Sequence, residues 1–195
     1  MLATVVLLVW LAAAVATDVT QGKIFNRITY PGIATAIVGN AIGSLGIAVG
    51  WWSRESAGTV GWIGIPACLI GLLACGLVMI ACYVFFRVGG GDVKLIAMIG
   101  AFLGPEHGVT AMLWTFVAGA CAGLILLVWR VGPIRLLASV VRHVLWSIRL
   151  GGFNPLTPEQ RKQLEPPLFL APSALFAVIV VQFELAERLL PYFSL

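Results

Sequence analysis

The sequence predicts an all-α fold, a polytopic membrane helical bundle of about six transmembrane helices with its N-terminus outside. Of its 195 residues, 61% are hydrophobic and only 10% are charged, whereas an ordinary soluble domain has a charged share of about 25%. The apolar residues fall in long runs, and one span needs about 20 of them. Roughly half a dozen spans would use most of the chain, so we expect a single membrane domain over residues 1–195.

Three apolar runs make up the first half of the predicted bundle. Residues 2–17 are short for a span, and the absence of Lys and Arg from their beginning argues against a signal peptide. Residues 28–49 are rich in small side chains, which permit close helix packing. Residues 60–86 form the third predicted span and lead to a glycine turn.

Three further runs follow that turn. Residues 94–103 are too few to cross the bilayer alone, so we expect a short or re-entrant helix there, covered by protein because exposed irregular backbone is not tolerated in lipid. Residues 109–129 and 168–190 are the fifth and sixth predicted spans. Between them, residues at about 130–165 have the pattern of a basic amphipathic segment on the anionic cytoplasmic leaflet.

The cations indicate the orientation. If the segments around Asp18, Asp92 and Arg130 share one side, ten of the twelve Lys and Arg residues lie there and two, Arg54 and Arg188, lie on the other. Lys and Arg in short loops mark the cytoplasmic side. We therefore expect an inner (plasma) membrane protein whose two aspartates face the cytoplasm. The ten residues are Lys23, Arg27, Arg87, Lys94, Arg130, Arg135, Arg142, Arg149, Arg161 and Lys162.

The chain contains just two aspartates, and each lies at the end of an apolar run. Asp18 follows the first run, and Asp92 follows Gly89, Gly90 and Gly91 between the third and fourth runs. A charged side chain within a membrane costs about 2.5–3.5 kcal/mol or more, so such a residue is a functional candidate by default. We expect the two carboxylates to meet.

The motif Gly89-x-Gly91-Asp92, followed by Lys94 and Leu95, resembles the signature of prepilin peptidases. These enzymes, also called type IV leader peptidases, are intramembrane aspartyl proteases of the GxGD type. Asp18, with Ile24 and Asn26 after it, resembles the first half of the same signature, although Phe25 stands where the family often has Pro. The resemblance implies that Asp18 and Asp92 are catalytic and that the leader peptide of prepilins or pseudopilins is removed at the cytoplasmic face.

The resemblance also bears on the subtype. Larger members carry a cysteine-rich cytosolic segment and an N-methyltransferase activity, and this sequence has no such segment, so N-methylation is not expected. The compact form is most like the peptidases of tight-adherence (Flp-type) pili. Preflagellin peptidases are similar in size and motif and stay an alternative.

An aspartyl pair hydrolyses peptides when one carboxylate is ionised and takes a proton from water while the other, protonated, donates to the substrate carbonyl. Two like charges about 3 Å apart disfavour double ionisation. The proton belongs to the pair, so acid and base roles are not assigned to Asp18 and Asp92 separately. Gly89 and Gly91 would let an extended substrate approach Asp92.

Three polar residues near the aspartates have alternative roles. Lys94 would either hold Asp92 electrostatically or extend its amine to the membrane interface, and Lys23 has the same two possibilities. Asn26 would either orient the loop that carries Asp18 or act as a plain N-cap of the second span. Each aspartate also has a purely structural alternative: an ion pair with Lys94 for Asp92, and a helix-boundary position for Asp18.

Other chemistries have little support. The four cysteines lie in apolar runs, without Cys-x-x-Cys, and are interpreted as small packing residues. No metal site, cofactor or nucleic-acid partner is expected, and the oligomeric state is left open. Two other functions compete with the protease: a proton- or cation-coupled transporter subunit that uses Asp18 and Asp92 as a relay, and an inert assembly subunit.

Overall fold

The computed structural model describes residues 2–86, 88–132 and 170–185. The described residues form six helices and no strand: α1 (Leu2–Gln21), α2 (Asn26–Ala48), α3 (Arg54–Val60), α4 (Ile65–Phe86), α5 (Gly90–Val131) and α6 (Leu170–Gln182). Four segments are helical, long and apolar enough to cross a membrane, and α6 is a shorter apolar helix. The predicted all-α polytopic bundle is confirmed.

Helix α5 consists of two limbs that fold back on each other at Gly104. This residue has φ 77° and ψ −176°, far from helical values. A Cβ added to Gly108 would lie 2.9 Å from the Cα of Gly100, although residues eight apart in a straight helix are about 12 Å apart. Pro105 then begins the second limb, where its missing N–H costs nothing. The first limb, residues 90–103, is about 21 Å long and is the short helix that the sequence predicts.

The first limb of α5 lies at the centre of the core. Leu95, Ile96, Met98 and Ile99 have no exposed surface, and they cluster with Leu7 and other buried residues of α1 and with the buried face of α6. Protein therefore covers the short limb on its sides, which is the condition for a helix that is too short to cross lipid alone.

Helix α4 touches this limb backbone to backbone. A Cβ added to Gly71 would collide with the carbonyl oxygen of Gly100, and one added to Gly100 would collide with that of Gly71. Cys75 packs on the same point, because its Sγ would lie 2.8 Å from a Cβ on Gly100. All four cysteines are free thiols, and Cys68 and Cys75 are buried.

Several helix boundaries differ from the sequence prediction. The first helix continues past residue 17 to Gln21, so Asp18 is helical, and the second begins at Asn26. The expected third span is divided: α3 ends at Val60 and α4 begins at Ile65, because Gly61 and Gly64 take φ of 92° and 87°. Two glycines expected in the turn, Gly90 and Gly91, belong to the first turn of α5.

The chain divides into two compact units, residues 1–118 with 169–195, and residues 119–168. Both aspartates belong to the first unit. In the second unit, the described residues are the last part of α5 and Gly132. The predicted basic segment at about 130–165 lies outside the described residues beyond position 132, as do the ends of the predicted sixth span. The single-domain organisation and the external N-terminus stay predictions.

Candidate active site

Asp18 lies in the last turn of α1 and is buried, with 6% of its surface exposed. Its Oδ2 accepts a hydrogen bond of 3.1 Å from the backbone N–H of Ala171. Ala171 is the second residue of α6, where backbone N–H groups have no acceptor within the helix. Asp18 therefore caps another helix, and the positive end of the α6 dipole favours its ionised form.

Asp92 lies in the first turn of α5 and is partly buried. The backbone N–H of Asp92 donates to the carbonyl oxygen of Gly89 at 3.0 Å. Gly89 directly precedes the helix and Asp92 follows three residues later, which is the spacing of a capping box. A Cβ at Gly89 would lie 2.9 Å from Asp92 Oδ2, so a side chain there would displace the carboxyl group.

The structure places the two aspartates near each other. Asp18 lies within electrostatic range of the carboxyl group of Asp92, although the two residues are far apart in the sequence. The carboxyl group of Asp18 also accepts the backbone N–H of Ala171 at the start of α6. The meeting of the two carboxylates, with a shared proton or water, stays a prediction.

Gly91 lies against the loop between α1 and α2. A Cβ at this position would lie 3.0 Å from the Cβ and 3.1 Å from the carbonyl oxygen of Ile24. Ile24 belongs to the loop between α1 and α2, so this loop rests on the bare backbone of α5. The role expected for Gly91, an opening for substrate, stays a prediction for the part of Gly91 that Ile24 does not cover. Gly90 is the more open position, since the atom nearest to its added Cβ is Tyr83 Cε2 at 3.9 Å.

Lys94 connects α5 to α2 instead of pairing with Asp92. Its Nζ donates a 2.7 Å hydrogen bond to Oδ1 of Asn26 and lies 4.8 Å from the centre of the Tyr30 ring. Among the described residues Lys94 forms no ion pair, so the structural alternative for Asp92 is not observed. Tyr30 was missed in the sequence, although its position four residues after Asn26 on one helix face was the available signal.

The other two predicted supporting residues, Asn26 and Lys23, differ in their contacts. Asn26 is not the N-cap of α2: that position belongs to Phe25, which has φ −82° and ψ 141° and makes no side-chain cap bond. Asn26 instead accepts a hydrogen bond from Lys94, and its role in orienting the loop that carries Asp18 stays a prediction. Lys23 is exposed, and no described contact links it to either aspartate. Within the described ranges, no group of three His, Cys, Asp or Glu residues could hold a metal.

Both aspartates, the glycine segment and the Lys94–Asn26 contact lie within the part of the chain that a known family matches. The model of the type IV leader peptidase family covers residues 5–124. The chain belongs to this family. As a leader peptidase family member it is a protease, and its apolar helices agree with a membrane protein. Comparisons with curated proteins and with solved structures found no match.

Proposed function

We propose that this leader peptidase family member is an intramembrane aspartic endopeptidase in which Asp18 and Asp92 remove the basic leader of prepilins or pseudopilins at the cytoplasmic face. The observation that carries the proposal is that the carboxyl groups of Asp18 and Asp92 lie within electrostatic range of each other, with Asp18 held by the backbone N–H of Ala171. The family match supports the protease class and a prepilin-type substrate. The cytoplasmic face follows from the distribution of Lys and Arg along the sequence.

The pair activates a water between the carboxyl groups. The ionised carboxylate takes a proton from the water, the resulting oxygen attacks the scissile carbonyl carbon, and the protonated carboxyl group donates to the carbonyl oxygen. Collapse of the tetrahedral intermediate transfers a proton to the departing amine and regenerates the carboxylate. The proton belongs to the pair, so neither carboxyl group is assigned as the base.

The substrate reaches the pair from the open side of the glycine segment. Gly89 and Gly90 are exposed, whereas Gly91 is covered by Ile24. An extended peptide approaching at Gly90 would pass the Tyr83 side chain, which is 53% exposed. The apolar helix of the pilin would stay in the bilayer while its leader enters the site.

The test is co-expression with candidate prepilins, scored by removal of the leader on a gel. Asp18→Asn and Asp92→Asn keep the side-chain shape but can neither ionise nor deliver a proton, so each should abolish cleavage at normal membrane abundance. Glu55→Gln, at an exposed carboxylate in the first turn of α3, is the matched control and should cleave like the wild type. Full cleavage by either Asn variant would remove that residue from the catalytic pair.

The same assay separates the competing functions. A proton or cation relay tolerates Asp→Glu more readily than a closely spaced protease pair does, and an assembly subunit tolerates Asn. Membrane abundance is measured by blotting. An inactive variant that is as abundant as the wild type has lost the chemical step and not membrane insertion.

A further inference from the structure

The side chain of Tyr83 lies beside the open part of the glycine segment. Tyr83 is in the last turn of α4, and a Cβ added to Gly90 would lie 3.9 Å from its Cε2 atom. A Cβ added to the preceding residue, Gly89, would lie 2.9 Å from Oδ2 of Asp92. Gly89, Gly90 and Tyr83 are all exposed. The ring and the carboxyl group therefore flank neighbouring positions of one accessible stretch of backbone.

These two contacts limit the distance between the Tyr83 ring and the Asp92 carboxyl group. Neighbouring Cα atoms are about 3.8 Å apart, so the edge of the ring is at most about 14 Å from the carboxyl oxygen. An extended peptide covers that distance with about four residues. A peptide that runs along Gly89 and Gly90 with its scissile bond at Asp92 therefore brings a nearby side chain within reach of the ring.

The described carboxylates other than the two aspartates lie at the opposite end of the helices. Glu55 follows the end of α2, Glu106 lies just past the bend of α5, and Glu184 follows the end of α6. Helices α2, α5 and α6 all begin at the end of the bundle that holds the aspartates. Within the described part of the chain, a cationic side chain of a substrate therefore meets no carboxylate near the site except the candidate pair itself.

An aromatic ring is another group that binds a cation, and the chain contains one such contact. Nζ of Lys94 lies 4.8 Å from the centre of the Tyr30 ring, within the range of about 6 Å for cation–π interactions. Tyr30 and Tyr83 are almost equally exposed, at 54% and 53%. Among the described residues, no cation lies over the ring of Tyr83. Its aromatic face is thus open to a cation from the substrate.

We propose that the Tyr83 ring binds a Lys or Arg side chain of the basic leader by a cation–π interaction, within about four residues of the scissile bond. The inference rests on the proposed function, which supplies the substrate, and it adds a residue that recognises the leader. Tyr83 contacts the substrate and takes no part in proton transfer. Because the contact is the same in the bound substrate and in the transition state, it affects KM and not kcat.

The experiment measures kcat and KM for cleavage of a purified prepilin by Tyr83→Leu, Tyr83→Phe and Phe85→Leu. Phe85 is the matched control, because it is an exposed aromatic residue of the same helical turn, and residues two apart do not share a helix face. Each protein is assayed with the natural leader and with a leader in which every Lys and Arg is replaced by Gln. Fluorescence anisotropy records the binding of the two leaders, as labelled synthetic peptides, to the purified proteins.

For Tyr83→Leu, KM and the dissociation constant of the basic peptide should each rise roughly two- to fivefold, with kcat unchanged. Tyr83→Phe keeps the aromatic face and should match the wild type, as should Phe85→Leu. With the Gln leader, Tyr83→Leu should also match the wild type, because the cation is missing.

A wild-type KM in Tyr83→Leu, or the same rise with both leaders, would overturn the proposal. A Tyr83→Phe protein as weak as Tyr83→Leu would overturn it too, because the hydroxyl group and not the ring would then carry the effect. If Tyr83→Leu does not reach the membrane, Tyr83→Met takes its place. A wild type that cleaves no prepilin would refute the protease, and the peptide-binding result would still judge the ring contact.

Discussion

The carboxylate of Asp18 accepts a hydrogen bond from the backbone N–H of Ala171, 153 positions later in the chain. This bond connects the end of α1 to the start of α6. The ionised carboxylate is stabilised both by an N–H group that has no acceptor within its own helix and by the positive end of the helix dipole. One half of the candidate catalytic pair is therefore oriented by a helix that lies outside the residues 5–124 matched by the family model.

We predict that Ala171→Pro lowers cleavage by roughly ten- to a hundredfold, since a hydrogen bond to a charged group contributes about 1.5–3 kcal/mol. Proline removes the N–H but is tolerated in the first turn of a helix. Ala171→Gly keeps the N–H, and Ala171→Val keeps it with added bulk at this buried position. The measurement is prepilin cleavage at equal membrane abundance. If the Pro and Val variants lose the same amount of cleavage activity, the effect comes from packing and not from the missing N–H.

Gly90 and Gly91 should respond to alanine in opposite directions. Alanine in a helix is more favourable than glycine by about 0.5–1 kcal/mol, so Gly90→Ala, with 3.9 Å to its nearest neighbour, should raise the thermal midpoint slightly. Gly91→Ala places a Cβ 3.0 Å from Ile24, so the loop must shift, and both stability and cleavage should fall. Thermal unfolding in detergent and the cleavage gel measure the two effects. A Gly91→Ala protein as active and as stable as Gly90→Ala would show that the loop contact is not needed.

Hydropathy was sufficient for the bundle, because a membrane span must be apolar along most of its length. It also located the short helix after Asp92, since residues 94–103 cannot cross a bilayer alone. The helix boundaries were less accurate. Hydropathy places Asp18 outside the first helix because it is charged, whereas the backbone continues in helix to Gln21. A polar residue in a last helical turn has no hydropathy signal of its own.

The candidate pair was identifiable because two lone carboxylates at the ends of apolar runs are costly and therefore rare. Their hydrogen-bond partners could not be identified from the sequence. The partner of Asp18 is the backbone N–H of Ala171. In the same way, Asn40 of α2 accepts the backbone N–H groups of Ile63 and Gly64. Nearly every residue type has a backbone N–H, so no side chain in the sequence identifies these partners. Lys94 was assigned to Asp92 or to the interface by proximity in sequence, while its observed partner, Asn26, lies 68 positions away.

The orientation is tested by reporter fusions. A reporter after Arg149 should be cytoplasmic and one after Glu55 external, because ten of the twelve cations fall on one side in this arrangement. Paired enzymatic reporters that are active on opposite sides of the membrane give the measurement. The inverse pattern would discard both the external N-terminus and the cytoplasmic site.

The contact between Lys94 and Asn26 can be measured by a double-mutant cycle. If Lys94 acts by holding the start of α2, then Lys94→Met and Asn26→Ala remove the same interaction, and the double variant should cleave about as well as either single one. We expect losses of roughly three- to tenfold for each, consistent with coupling energies of about 0.5–3 kcal/mol between contacting residues.

Tyr30→Leu provides a second control, because the ring contact with Lys94 at a partly exposed site contributes only about 0.5–1 kcal/mol. Its loss should therefore be smaller than that of Lys94→Met. If Lys94 instead acted on the Asp92 charge during catalysis, Lys94→Met would be much more damaging than Asn26→Ala, and the two losses would add. Cleavage rates of the four proteins at matched abundance decide between a positioning contact and a direct electrostatic role.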